Sequence, residues 1–268
     1  MAELGNVVIL IAGEVEPAWE EDFHRWYNQE HLAQRIVLPG FLGARRYVNS
    51  GDFAGPTHLT INELESDAVL QSGAYLEMGR HPTAWTRRVR EHAKLTRGVY
   101  RRIFSIRGPG PLLGQALSVV WADVQPGWEQ EFHHWYDREH LPERMEVGYL
   151  GARRFERVEG TGQQYLVVYE LPDERIIHTP AYRELMANPS EWTRRMQGHM
   201  QLKRAVYRQV FPAQRGLFTR AILNAWQPPE GLTAPSPQSA LVGRRGRGQG
   251  GARGRKLSTG AMDSLAQM

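Results

Sequence analysis

A long internal repeat constrains this chain more than any other feature. The segment WEEDFHRWYNQEHL (19–32) aligns with WEQEFHHWYDREHL (128–141), so that His31 falls against His140 at an offset of 109. After a one-residue deletion, GFLGARRYV (40–48) aligns with GYLGARRFE (148–156). After one more, AWTRRVREHAKLTRGVYRRIF (84–104) aligns with EWTRRMQGHMQLKRAVYRQVF (191–211). Matches that keep one order through a whole module indicate a duplicated folding unit, whose copies must share one local structure.

Each copy predicts the same elements. Residues 6–14 run apolar with β-branched types, as a strand does. Pro17 opens a helix with Trp19, Phe23, Trp26 and Tyr27 on one face, and Pro39-Gly40 ends it. Strands near 41–49 and 57–64 flank the turn-rich SGDFAGP. A second helical stretch covers about 67–95, interrupted before Pro82, and a last strand covers 99–106. The order β-α-β-β-α-β is that of a ferredoxin-like unit. Such a sheet has helices on one face only, so the other face needs a partner, which the second copy supplies. The expected fold class is therefore α+β: two tandem ferredoxin-like β-α-β-β-α-β modules forming one intramolecular α+β barrel. The expected division is repeat 1 at 1–107, a Gly/Pro-rich linker at 108–114, repeat 2 at 115–213 and a disordered basic Arg/Gly-rich tail at 214–268. Within the tail, RGLFTRAILNAW suits a short amphipathic turn docking on the barrel. The tract VGRRGRGQGGARGRK cannot bury a core.

Charge follows this division. Eight of the 33 Lys/Arg and two of the 29 Asp/Glu lie from Gln214 onward, which leaves residues 1–213 at −2 of the net +4. The basic balance belongs to the tail, so nucleic acid is expected to meet this protein only weakly and only there. No cysteine is present, which excludes disulfides, thiol catalysis and thiolate-bound metals. The apolar stretch of MAELGNVVILIAGEVEP reads as a first strand and not as a signal peptide or membrane span. The expected setting is soluble and cytoplasmic, without a membrane partner and with loose pairing of complete barrels at most.

The pattern F-x-x-W-Y-x-x-E-H-L-P (132–142), followed by GYLGARR (148–154), resembles the EthD-like branch of the dimeric α+β barrel superfamily, as does its counterpart in repeat 1. The resemblance covers about 6–106 and 115–212. It implies a ligand pocket between each sheet and its own helices. It also implies a choice among cofactor-free monooxygenases, cyclases, isomerases, decarboxylases and proteins without a known reaction.

The candidate catalytic residues are His31 and His140, Tyr27 and Tyr136, Glu30 and Glu139. Histidine exchanges protons near neutral pH, and a tyrosine one turn earlier on a neighbouring face can polarise a carbonyl. A glutamate among aromatics needs a donor such as an arginine. The alternatives are a histidine capping a broken helix, a core tyrosine and a solvated glutamate. Candidate substrate-binding residues are Arg45, Arg46, Arg153 and Arg154, Trp26 and Trp135, and His92 and His199. Strand alternation turns one arginine of each pair to the helices and the other to the partner sheet, where it requires a counter-charge. The expected counter-charge is Glu30, Glu139 or a substrate carboxylate. His92 and His199 equally suit the helix surface.

No metal site is expected. His24 and His31, like His133 and His140, stand two turns apart, and no HExxH or phosphate loop occurs. The preferred reading is a cofactor-independent enzyme performing proton-transfer chemistry on a small aromatic or polyketide-like substrate: a cyclase, isomerase, decarboxylase or lyase. The alternatives are a non-catalytic small-molecule-binding or scaffold barrel, and a cofactor-free or haem-dependent monooxygenase. The halves are expected to differ, because Pro142 follows His140 where Ala33 follows His31. A proline break should fix where His140 points, while His31 stays on the helix margin, nearer solvent.

Overall fold

The computed structural model describes residues 4–225; the Gly/Arg-rich part of the tail lies outside them. The first half runs β1 (Val7–Val15), α1 (Glu20–Trp26), α2 (Leu32–Ile36), β2 (Phe41–Asn49), β3 (His58–Leu64), α3 (Gly73–Arg80), α4 (Ala84–Glu91) and β4 (Ala93–Arg107). The second half follows the same order: β5 (Ala116–Val124), α5 (Glu129–Trp135), α6 (Leu141–Glu146), β6 (Gly151–Gly160), β7 (Tyr165–Leu171), α7 (Pro180–Ala187), α8 (Glu191–Gln197) and β8 (Met200–Phe211). A short helix, α9 (Arg220–Ala225), comes last.

Each half makes a four-stranded sheet, β4-β1-β3-β2 and β8-β5-β7-β6. Pairing of β2 with β8 and of β4 with β6 joins them into a closed, fully antiparallel eight-stranded barrel, which leaves no open edge. Side-chain alternation sorts the apolar residues into two layers. Val8, Leu10, Leu59 and Ile61 face the lumen, where they meet Leu117, Val119, Leu166 and Val168 of the other half. Val7, Ile9 and Ile11 face outward against Phe23 and Trp26. Every residue of β3 and β7 is buried, as expected for strands covered on both faces.

Two ion pairs cross the lumen between the halves. Arg45 on β2 grips Glu170 on β7 with two hydrogen bonds, at 2.9 and 2.5 Å. Arg153 on β6 grips Glu63 on β3 with two more, both at 2.7 Å. All four side chains are buried. Glu63 also accepts the Gly5 N–H and Glu170 the Gly114 N–H, each at 3.0 Å. Forked pairs of this kind, with each carboxylate also accepting a backbone N–H, are the geometry in which buried charge is tolerated. The counter-charges of Arg45 and Arg153 are therefore glutamates of the opposite half. Neither arginine is left for a substrate, and neither meets Glu30 or Glu139.

Two boundaries differ from the sequence reading. The helical stretch expected to run to about 95 stops at Glu91, and β4 begins at Ala93 by pairing with Val15 of β1. A ladder along β1 overrides the helical leaning of these residues. The tail expected to be disordered from 214 remains in place through α9. Leu217 and Phe218 are buried, and Phe218 exchanges backbone hydrogen bonds with Ala44 on β2. No helix among the described residues is long and apolar enough to cross a membrane.

Candidate functional site

The repeated W-Y-x-x-E-H segment does not form ordinary α-helix. Between α1 and α2, residues Tyr27–His31 make one turn of π-helix, closed by the Leu32 N–H donating to the Tyr27 carbonyl. Between α5 and α6, Tyr136–His140 do the same, with the Leu141 N–H donating to Tyr136. The extra residue swings the histidine inward beside the aromatic pair. The His31 ring centroid stands 4.6 Å from Trp26 and 4.9 Å from Tyr27. The His140 ring stands 4.4 Å from Trp135 and 5.0 Å from Tyr136. The helix then ends at Gly40 (φ +83°) or Gly148 (φ +99°), left-handed positions that suit glycine.

The π turn corrects the expectation built on Pro142. That proline sits in the first turn of α6, where its missing N–H breaks no bond, and the same turn forms over Ala33. The predicted order of exposure is also reversed. His31 is only 6% exposed, whereas His140 is partly exposed.

The glutamates work between helices. Glu30 Oε1 accepts from Thr83 Oγ1 (2.6 Å), Thr86 Oγ1 (3.0 Å) and the Trp26 indole (3.1 Å). Glu139 Oε1 accepts from Ser190 Oγ (2.5 Å) and Thr193 Oγ1 (3.2 Å), and the Trp135 indole donates to Thr193. Thr83 and Ser190 cap the N-termini of α4 and α8. Each carboxylate therefore pins a helix start to a π turn, supported by hydroxyls where an arginine was expected.

Arg46 and Arg154 face the helices. Arg46 donates to Asn28 Oδ1 (2.6 Å) and His24 Nδ1 (3.1 Å) and lies over Tyr27 at 4.4 Å. Arg154 pairs with Asp137, donates to His133 Nδ1 and lies over Tyr136 at 4.7 Å. His92 and His199 lie outside this layer, at the ends of α4 and α8. They stack on Trp19 and Trp128 at 3.8 and 3.4 Å and meet Glu16 and Gln125 through Nδ1 at 2.9 Å. Their flat indole contacts fix the helix ends instead of lining a pocket.

The two helix–sheet layers differ in free space. In the first half, His31, Trp26, Tyr27, Arg35 and Arg97 surround a void of about 20 Å³, the size of one water. In the second, Trp135, Tyr136, His140, Arg144, Tyr169 and Arg204 surround a cavity of about 130 Å³. Its rim includes the exposed Met186 and Leu202. The strand residues explain part of the difference: Ile9 and Ile11 line the first void, while Ser118 and Val120 hold the matching positions in the second. A separate shallow groove of about 550 Å³ runs over the outside of α1, past Glu20, His24 and Asn28, away from both histidines.

Burial first, then the guanidinium groups of Arg144, Arg204 and Arg154, hold the His140 imidazole well below its ordinary 6.5. Burial, with Arg35, Arg90 and Arg46, does the same to His31. Both rings are neutral at pH 7. His140 Nδ1 is buried and has no hydrogen-bond partner, while the ring as a whole lines the cavity. Burial also raises the Tyr136 and Tyr169 hydroxyls above 10, so both remain protonated donors.

Arg144 and Arg204 were missed in the sequence, although the repeat signals both. His-Leu-x-x-Arg recurs at 31–35 and 140–144, and Leu-x-Arg at 95–97 and 202–204.

One cluster has the makings of a metal site: ligand-type atoms of Glu20, His24 and His58 lie within 4.8 Å of one another. Arg46 always donates, so His24 Nδ1 must accept and its proton sits on Nε2, the atom that faces Glu20. Metal ligation through Nε2 would set a protonated Nδ1 against the guanidinium. Burial and Arg46 hold this imidazole down at about 4, and Tyr165 replaces His58 in the second half. The donor set does not fit a cation. Nor does the cavity beside His140 fit a haem, since about 130 Å³ matches a single aromatic ring.

The sequence matches no protein-family model and no curated protein. Solved structures do match. A candidate monooxygenase from Fusobacterium nucleatum subsp. nucleatum is 11% identical, with a TM-score of 0.52, over 82% of this chain and 100% of that one. An anthrone oxidase-like protein is 12% identical, with a TM-score of 0.55, over 76% and 90%. A variant of chlorite dismutase from Candidatus Nitrospira defluvii is 12% identical over 76% and 91%, at a TM-score of 0.49. At these identities the likeness is one of fold: this chain shares its α+β barrel fold with the first two of these proteins.

Proposed function

We propose that the cavity beside His140 is an active site for proton transfer on a small ring compound bearing a carbonyl or phenol. The observation that carries this reading is the partly exposed His140 imidazole, whose Nδ1 has no hydrogen-bond partner, on the wall of a cavity it shares with Trp135, Tyr136 and Tyr169. A neutral imidazole can take a proton from carbon next to a carbonyl and return it. The arginines that, after burial, help keep it neutral also favour the negative charge that develops on the substrate oxygen. Protonated tyrosines supply hydrogen bonds to the same oxygen. In this reading the chain is a duplicated ferredoxin-like module of the EthD-like branch, in which one copy keeps the working site and the other supports it.

The test is proton exchange in D2O. A monocyclic ketone such as cyclohexanone, followed by NMR, should lose its α-protons faster with protein than without. His140→Ala should slow the catalysed exchange about 10²–10⁴-fold, and His31→Ala should leave it nearly intact. Equal catalysis by both variants would refute the assignment. Binding without exchange would favour the non-catalytic alternative. A second reading, oxygen-dependent oxidation at the same site, draws on the descriptions of the two barrel neighbours. It predicts oxygen consumption with a hydroquinone, lost in His140→Ala.

A further inference from the structure

We propose that the cavity of the second half is built for an anion, with Arg144 and Arg204 receiving the carboxylate of a compact aromatic acid and its ring lying against Trp135, Tyr136 and His140. This rests on the reading of that cavity as the working site and adds the class of its ligand.

The case starts from two cations whose bonding capacity is not met. Arg144, on α6, is 8% exposed, and its Nη1 is buried without a hydrogen-bond partner. Its other terminal nitrogen reaches only the Met186 sulfur, at 3.6 Å. The nearest carboxylate, Glu143 Oε2, is 3.8 Å from Nη1, too far for a hydrogen bond. Arg204, on β8, donates to the Tyr182 hydroxyl and lies over the Phe53 ring at 3.9 Å. Its Nε is buried without a partner, as is that of its counterpart Arg97, but Arg204 forms no ion pair among the described residues.

In the first half Arg35, the counterpart of Arg144, likewise reaches only a methionine sulfur, of Met78, but the other arginine is answered. Arg97, the counterpart of Arg204, pairs with Glu159 at 2.6 Å. Among the described residues no carboxylate plays that part for Arg204. Among the residues lining the larger cavity, Glu143 is the one carboxylate against two guanidinium groups, so with His140 neutral the lining carries a net +1. Charge withdrawn from water asks for an opposite charge. An arginine fork fits the two oxygens of a carboxylate. The cavity volume admits about one ring. An aromatic carboxylate supplies the charge and the two oxygens and fills the volume.

The experiment compares benzoate with its neutral isostere benzamide on the full-length protein at pH 7, by NMR titration. Benzoate should bind at least about tenfold more tightly, and its affinity should fall as chloride is added. Arg204→Gln should erase the preference, while Arg204→Lys restores part of it. If the Gln variant fails to fold, Arg144→Gln and the chloride titration carry the same test. Equal affinity for the two ligands overturns the anion assignment. So does failure of either to bind, or a preference untouched by both arginine substitutions. The proton-transfer reading fails separately, on unchanged ketone exchange in His140→Ala, whichever ligand the cavity prefers.

Discussion

The two helix–sheet layers are built from one plan and finished differently. Both have the π turn, the histidine against Trp and Tyr, the glutamate pinning a helix N-terminus and the arginine over the tyrosine ring. Both lend an arginine and a glutamate to the lumen pairs. The differences lie in the strand floor and in charge compensation. The first half has Ile9, Ile11 and an arginine answered by Glu159; the second has Ser118, Val120 and an arginine with no carboxylate. The ion pairs that join the halves are kept in both, while the residues around the two voids differ.

The largest expected effect concerns what the halves share. Removing one partner of a buried ion pair strands the other charge and costs about 3–5 kcal/mol. Arg45→Met and Arg153→Met should each lower the unfolding free energy by that amount in denaturant titration. A much smaller cost for one of them would break the equivalence of the two pairs. Acid should weaken the same structure. Arg45 is the main influence opposing burial at Glu170, and it holds that carboxyl below its ordinary 4.5 in the folded chain. The stabilisation is complete above about pH 4.5 and is lost as pH falls through the lower folded value.

The second prediction separates the two histidines. Both fold with a value well below 6.5, so between that folded value and 6.5 the unfolded chain binds more protons. Stability is therefore full above pH 6.5 and falls on acidification, by up to about 1.4 kcal/mol per pH unit for each histidine. His31→Gln should flatten the measured slope between pH 6.5 and 5 by nearly that much. His140→Gln should flatten it less, because its ring reaches solvent through the cavity. The reverse order would mean that the first layer is the more open one in solution.

Much of this architecture is legible in the sequence. The repeat fixes the element order, and strand alternation implies that neighbouring arginines face opposite layers. Three features are not legible, each for a physical reason. The π turn leaves no mark in residue type, since Ala33 and Pro142 both accommodate it. The partners of Arg45 and Arg153 lie 125 and 90 residues away, across a barrel whose register no local pattern encodes. The cavity depends on the summed volume of side chains from several elements, so no single position reveals it. Arg144 and Arg204 were within reach, because both recur at fixed spacings in the repeat.

The smallest expected change in stability gives the sharpest comparison. Ser118→Ile gives β5 the side chain that β1 carries at Ile9, in a position that lines the cavity and is buried. Adding methylenes to a full core costs about 1–3 kcal/mol, but here the new atoms enter existing space beside Val120 and Tyr169. Apolar burial should then offset much of the strain, and the unfolding free energy should move by about 1 kcal/mol or less. The substitution leaves His140, Arg144 and Arg204 in place, so any loss of ligand reports on volume alone. Benzoate binding and ketone exchange should both vanish in this variant while thermal unfolding stays near that of the parent. If both persist, the ligand lies elsewhere, and the contrast between a filled layer and an open one has no bearing on function.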